Sequence, residues 1–315
     1  MKYIQNMYTD IHTDFILEPI YTILIKGINA CNSLPFGIGS YPMSEYYLQS
    51  VFINMTGALE QKMKCICWQI ATDDYQYRYE FLRSKNYGEC SSYTDKNNVY
   101  KDLIDAIKRK KRTFSLKAIW DDYDIPEKKM NSERETWQED EKKKRLDKIN
   151  NILKSEKNRG KILSLEEKEK MRAGILNKPY SESKFLRHIE ESKGTWAFRD
   201  RLKEIHITLA QSIFTKWRVR DYLNFQNNYI NDFQSINVTP SETELLKGSL
   251  VDMYEQVVYK QRNRIAHNTL SYQQNLPDLS DLADKNYYKH NYFYRFVMLV
   301  VLDDVFIRLY KKYIQ

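Results

Sequence analysis

Cysteine, proline and glycine are all scarce in this chain, with four, seven and nine of 315 residues. So little glycine and proline leaves few of the tight turns that a barrel or sandwich needs, while the abundant Lys, Glu, Leu, Ile and Tyr favour helices. Cys31, Cys65, Cys67 and Cys90 form no C-x-x-C pair and have no neighbouring histidines of the kind zinc requires, so they read as reduced thiols and not as a metal site. On a helix Cys65 and Cys67 would point about 160° apart, which suits joint ligation poorly. Long apolar runs are also missing. The longest, 296–302, is far too short to cross a bilayer, and MKYIQNMYTDIHTDF has polar interruptions where a signal peptide would be apolar. No Walker loop, GxGxxG or HExxH occurs. The expectation is a soluble cytoplasmic protein with no membrane contact, no metal and no cofactor.

What is present is enough apolar material for a core, 42% of the chain, and a formal net charge of +8 at pH 7. That charge suits a polyanionic partner, because each Lys or Arg placed on a phosphate releases a counterion.

Apolar periodicity predicts an all-α fold. Leu48, Val51, Phe52, Met55, Leu59, Met63 and Ile66 recur at three- and four-residue intervals, marking one long core helix over 44–83. A second helix is predicted over 98–112, ending in Lys108, Arg109, Lys110, Lys111 and Arg112; this run reads as a solvated terminus that offsets the helix dipole. From about 121 to 180 the composition turns to dense alternating charge with few large apolar residues, the pattern of an exposed helical insert. The chain thus divides into an N-terminal helical part (1–120), the insert (121–180) and a C-terminal helical part (181–315). In the last, helices are predicted over 194–223, from Thr239-Pro240-Ser241-Glu242, and over 285–313. Leu246, Leu250, Met253, Val257 and Ile265 mark the buried stripe of the middle one. The adjacent Asp303 and Asp304 read as a solvated face, the aromatic-rich stretches as core packing, and His188 and His290 have no partner legible in the sequence.

The informative segment is YKQRNRIAHN, 259–268, where an apolar helix ends in two arginines, an amide and a histidine. On a straight helix Arg262 and His267 would diverge by about 140°, so they converge only if the helix stops near Ala266 or a second subunit completes the site. An imidazole titrates near neutrality and a guanidinium can grip a phosphate and stabilise charge building on it. Together they suffice to cleave RNA without a metal, the RNA's own 2′-hydroxyl acting as nucleophile. The same spacing at Arg201 and His206 continues into an apolar helix and reads as helix surface.

Arg262-Asn263-x-x-x-His267 resembles the R-polar-x-x-x-H motif of the HEPN superfamily of helical-bundle ribonucleases and related binding domains. The resemblance implies a HEPN-like bundle in which Arg262 and His267 are the catalytic pair and Asn263 orients them. Arg264 and Lys260 are then candidate RNA contacts, and a homodimer joining two motifs is expected. It further implies an endoribonuclease of the defence or toxin kind, acting against phage or on the host's own RNA, with a regulatory or antitoxin protein as a possible partner. The alternative is a non-catalytic HEPN-like module that binds nucleotide, RNA or a partner protein.

Overall fold

In the computed structural model, which describes residues 11–33, 40–83, 90–158, 164–210, 239–266 and 292–315, the protein is all-α, with no strand among the described residues. The chain forms two compact units, Met1–Trp120 with Gly194–Gln315, and Asp121–Lys193. None of its described helices is long and apolar enough to cross a membrane.

The larger unit contains α1 (Ile11–Leu17), α2 (Tyr21–Asn32), α3 (Ser40–Asp73), α4 (Tyr75–Arg83) and α5 (Tyr93–Lys110), followed by a 3₁₀ turn at Leu116–Trp120. The expected single helix over 44–83 is in fact two, because the Asp74 carboxylate accepts the Tyr77 backbone N–H at 3.0 Å and caps a new start. Helix α5 begins earlier than its apolar pattern indicated, since Ser92 accepts from the Asp95 N–H at 3.1 Å. After the second unit the chain returns through the later residues of α8 (Glu182–Ala210), then α9 (Ser249–Met253), a π-helical stretch (Tyr254–Tyr259), α10 (Lys260–Ala266) and α11 (Tyr292–Ile314). The parts of the expected helices over 211–223 and 285–291 lie outside the described residues.

The proline at 240 does not open a helix. Ser241 instead closes a turn with Glu244, and the next two N–H groups, of Leu245 and Leu246, donate to Asn97 Oδ1 at 2.9 Å and the Tyr93 hydroxyl at 3.2 Å on α5. These tertiary bonds satisfy donors that a helix would have used. The helix starts only after Gly248, whose positive φ of 52° suits a residue without Cβ.

One apolar core spans both flanks of the charged segment, joining Leu24 of α2, Phe52 and Ile66 of α3, Leu103 of α5, Leu202 of α8, Val257 of the π-helical stretch and Phe306 of α11. Helix α11 is central: Tyr294 through Asp303 are all buried, so it has no solvent face there. Each large apolar side chain so buried contributes about 1.5–3 kcal/mol. Gly27 lets α2 approach α3 closely, since a Cβ there would collide with Val51.

The expectation that Asp303 and Asp304 form a solvated face fails, for Asp303 on this all-round burial and for Asp304 on an ion pair. Asp303 is 1% exposed, accepts from Lys62 Nζ at 2.6 Å and from the Ile20 N–H at 2.8 Å, and so ties α3 and the start of α2 to α11. Burial pushes its carboxyl up to about 6, against the pull of Lys62 and the Ile20 N–H. Asp304 meets Arg201 at 2.9 Å, which removes Arg201 from the helix surface to which its sequence context assigned it.

The second unit contains α6 (Glu127–Asn158), α7 (Leu165–Leu176) and the first residues of α8. Its charged surface covers a small aromatic cluster in which Trp137 packs on Phe185 (5.5 Å between centroids) and Tyr180 (6.0 Å). His188, unpartnered by sequence, pairs with Glu133 at 2.9 Å.

Candidate functional site

The motif segment begins in the last described residues of the helical stretch 249–266. Leu250, Tyr254, Val257 and Val258 anchor it in the core, while Met253 and Ile265 are only partly buried. The π-helical stretch inserts extra backbone into the turn and re-phases the residues that follow it. Gln261 is consequently buried while Arg262, Asn263 and Arg264 are intermediate and Lys260 is exposed, its ammonium donating to Gln256 Oε1 at 2.6 Å.

Arg262 Nη2 donates to Glu60 Oε2 at 3.0 Å, and its Nη1 donates to Asn263 Oδ1 at 3.2 Å. The side chains of Arg262 and Glu60 are 20% and 9% exposed, so the guanidinium lies at the rim of the core with its carboxylate partner behind it. A guanidinium has five N–H donors, so this arrangement leaves capacity for a further oxygen ligand on the solvent side. Asn263 thus contacts Arg262 through its side-chain oxygen. Helix α10 is described through Ala266; His267 and Asn268 lie outside the described residues.

Two residues at this site escaped the motif reading. Glu60, on α3, is the ion partner. Lys96, on α5, is 1% exposed; it donates to Ser91 O at 3.1 Å and to Cys90 O, and lies 5.5 Å from the Tyr254 ring centroid. Burial lowers its ammonium to about 8 although Glu60, Cys90 and Asp95 pull it up; Arg262 acts with burial. Tyr254 donates its hydroxyl to the same Ser91 carbonyl at 2.8 Å, and Cys90 adopts a positive φ of 55°, so this turn is held from two sides. Both residues were detectable, because each falls on the apolar line of its helix.

The basic run at the end of α5 is largely occupied by neighbouring carboxylates. Lys108 pairs with Glu242 at 2.9 Å, Arg109 with Asp74 at 3.1 Å and Lys110 with Asp73 at 2.8 Å, each an exposed pair of modest energy. His206 is half-buried, and burial lowers its imidazole below the usual value. None of the four cysteines is in a disulfide, and all four are buried. No group of three metal-ligating side chains occurs among the described residues.

The chain matches no family model, no curated protein and no solved structure.

Proposed function

We propose that this protein is a HEPN-like, metal-independent endoribonuclease. The observation that carries the reading is the Arg262 guanidinium held at the rim of a helical core by Glu60 and Asn263, five residues before His267. In the reaction proposed, His267 takes the proton of a ribose 2′-hydroxyl, whose oxygen attacks the adjacent phosphorus. Arg262 stabilises the charge that builds on the phosphoryl oxygens. The 5′-oxygen leaves with a proton from a general acid, giving a 2′,3′-cyclic phosphate and a 5′-hydroxyl. Arg264 and Lys260, on the same short helix as Arg262, serve as RNA contacts. A defence or toxin role with a restraining partner protein rests on the resemblance of the motif.

Purified protein incubated with mixed cellular RNA in EDTA is expected to yield fragments with cyclic phosphate ends and to leave DNA intact. Loss of cutting in EDTA with rescue by magnesium would sink the mechanism, and equal cutting of DNA would rule out attack by the 2′-hydroxyl.

One His and one Arg per chain supply a base and a charge stabiliser but no separate acid, which favours a homodimer with two motifs facing one cleft. Light scattering is expected to report about twice the 37.9 kDa chain mass. A strict monomer that still cleaves RNA would contradict the shared site.

The second reading, a non-catalytic module that binds RNA, nucleotide or a partner protein, draws support from the engagement of Arg262 by the buried Glu60. Binding of RNA without any cleavage is the outcome that would select it.

A further inference from the structure

The basic run that closes α5 divides into two parts. Lys110 and Lys111 serve the end of α11: Lys110 lies 3.6 Å from the centroid of the Tyr313 ring and pairs with Asp73, and Lys111 donates to the Lys312 carbonyl at 3.3 Å. Lys108, Arg109 and Arg112 instead line an open depression of about 510 Å³ together with Asp105. With Lys101 these positions fall within about 100° of one another on the helix, opposite the buried Val99, Leu103 and Ile107. The outer face of α5 is therefore a stripe about 16 Å long that carries four cations and one acid. Lys108 and Arg109 pair with Glu242 and Asp74, in exposed contacts that contribute little and exchange readily with another anion. Lys101 and Arg112 are exposed and have no ion pair among the described residues.

Helix α4 is tied to α5 by Tyr77, whose hydroxyl donates to Asp102 at 2.9 Å, and it turns other rings outward. Tyr77 and Phe81 stack at 5.8 Å on its inner side and supply its packing. Tyr75, Tyr79 and Leu82 share the outer side at i, i+4 and i+7, with exposures of 78%, 52% and 70%. The faces of α4 and α5 meet at Asp74, which bonds Arg109 at 3.1 Å and directly precedes Tyr75. The Arg83 guanidinium stands 5.1 Å from the Tyr79 ring centroid, and Arg78, beside Tyr75, is fixed on the Ala71 and Thr72 carbonyls at 2.7 and 3.2 Å. Glu80, the acid of this helix, points about 100–140° away from the two outer rings.

We propose that these outer faces of α4 and α5 form a platform for single-stranded RNA. Tyr75 and Tyr79 stack on unpaired bases, and Lys101, Lys108, Arg109 and Arg112 follow the phosphates. That the strand held here is a substrate rests on the ribonuclease reading. Asp73, at the platform, lies thirteen residues along α3 from Glu60, the anchor of Arg262, so the two places are about 20 Å apart, a span that a few nucleotides cover. Charge selects the occupant. Residues 73–83 and 101–112 carry eight cations, against six carboxylates when Glu242 is included. A second copy meeting this face across a two-fold axis would set like charge against like, whereas a polyanion displaces the weakly held carboxylates and releases counterions. The rings select the form of the nucleic acid. Every base has a π-face to offer a tyrosine, but residues i and i+4 rise about 6 Å along the helix, wider than the step of about 3.4 Å between stacked duplex bases, so the bases they meet are unstacked.

The test uses the full-length protein and a fluorescent single-stranded oligoadenylate with 2′-O-methyl riboses, which offers no 2′-hydroxyl for attack. Tyr75→Ala and Tyr79→Ala are each expected to weaken binding about fivefold or more, the low end of what one base stack contributes, whereas Tyr75→Phe keeps the parent affinity. Lys101→Gln with Arg112→Gln is expected to reduce the slope of log affinity against log salt by about 1.4, the share of two phosphate contacts on a single strand. A duplex of the same backbone is expected to compete poorly, because its bases cannot reach the rings. These side chains are exposed, so melting curves are expected to match the parent. Parent affinity in both alanine variants, an unchanged salt slope, or equal competition by the duplex would each overturn the proposal. So would loss of self-association in the alanine variants with RNA affinity unchanged, which would assign the face to a second copy. Tyrosine-dependent binding with unmodified RNA left intact would remove the ribonuclease reading and keep the platform. Cleavage with affinity unchanged in every variant would do the reverse.

Discussion

His267→Ala is expected to reduce RNA cleavage by about 10²–10⁴-fold, the usual contribution of a general acid or base. Histidine is the one residue type in the motif suited to general acid–base work near neutral pH. Arg262→Ala is expected to cost a further distinct amount, about 10²–10³-fold through lost stabilisation of phosphoryl charge. Its interpretation is less simple, since Glu60 is 9% exposed and would be left without its ion partner. Removing one member of a buried pair typically destabilises by about 3–5 kcal/mol, and less here because Arg262 is partly solvated. The double variant Arg262→Ala with Glu60→Gln separates the two effects. It is expected to recover the melting temperature but not the activity. His206→Ala, at the other copy of the spacing, is expected to keep the parent rate, because Arg201 beside it is bound to Asp304. Initial rates on a single RNA substrate, with melting curves run alongside, decide the matter. A fully active His267→Ala, or a His206→Ala equally dead with an unchanged melting curve, would move the site elsewhere.

Asp303→Ala is expected to produce the largest loss of stability, about 3–5 kcal/mol. The substitution leaves the Lys62 ammonium buried at 2% exposure with the Glu18 carbonyl as its remaining partner among the described residues, and leaves the Ile20 N–H without its acceptor at the start of α2. A buried ion pair carries the desolvation cost of both its charges, the same burial that raises the Asp303 carboxyl. Replacing both members by apolar residues, Lys62→Met with Asp303→Leu, is therefore expected to regain much of the loss, though not the bond to Ile20. Urea and thermal unfolding of the single and double variants measure this. A single variant within about 0.5 kcal/mol of the parent, the range of ordinary surface changes, would show that Asp303 does not hold α3 and α11 together.

The all-α character was legible because the apolar period of three to four residues is a local property of the chain. Leu48 through Ile66 show it in α3, and Val99, Tyr100, Leu103 and Ile107 in α5, and all of these are buried. The charged residues of the core could have been found in the same way. Glu60 follows Leu59 directly and precedes Met63 by one turn, and Lys96 lies one turn before Val99 and Tyr100, so both fall on apolar lines. Asp303 stands in a helix that is apolar on every side, where no solvated face exists for it to occupy. What hid these residues was the strong prior that charge belongs at the surface, which holds for isolated charges and fails for paired ones. The helix start expected at Pro240 was lost for another reason. The local signal was sound, but Asn97 and Tyr93, distant in sequence, took the N–H groups of Leu245 and Leu246.

By itself, then, the sequence determined that the fold is all-α, that Leu48 through Ile66 form the apolar line of a long core helix, and that Arg262, Asn263 and His267 stand within six residues of one another in the chain. Only the tertiary structure decided that the two flanks of the charged segment share one core, that Glu60 is the partner of Arg262, and that Lys96 is buried against the Tyr254 ring. The physical reason is range. Helix propensity and amphipathic period act over a few residues, whereas a buried charge is stabilised by whichever opposite charge the packing brings within about 4 Å, regardless of its distance along the chain.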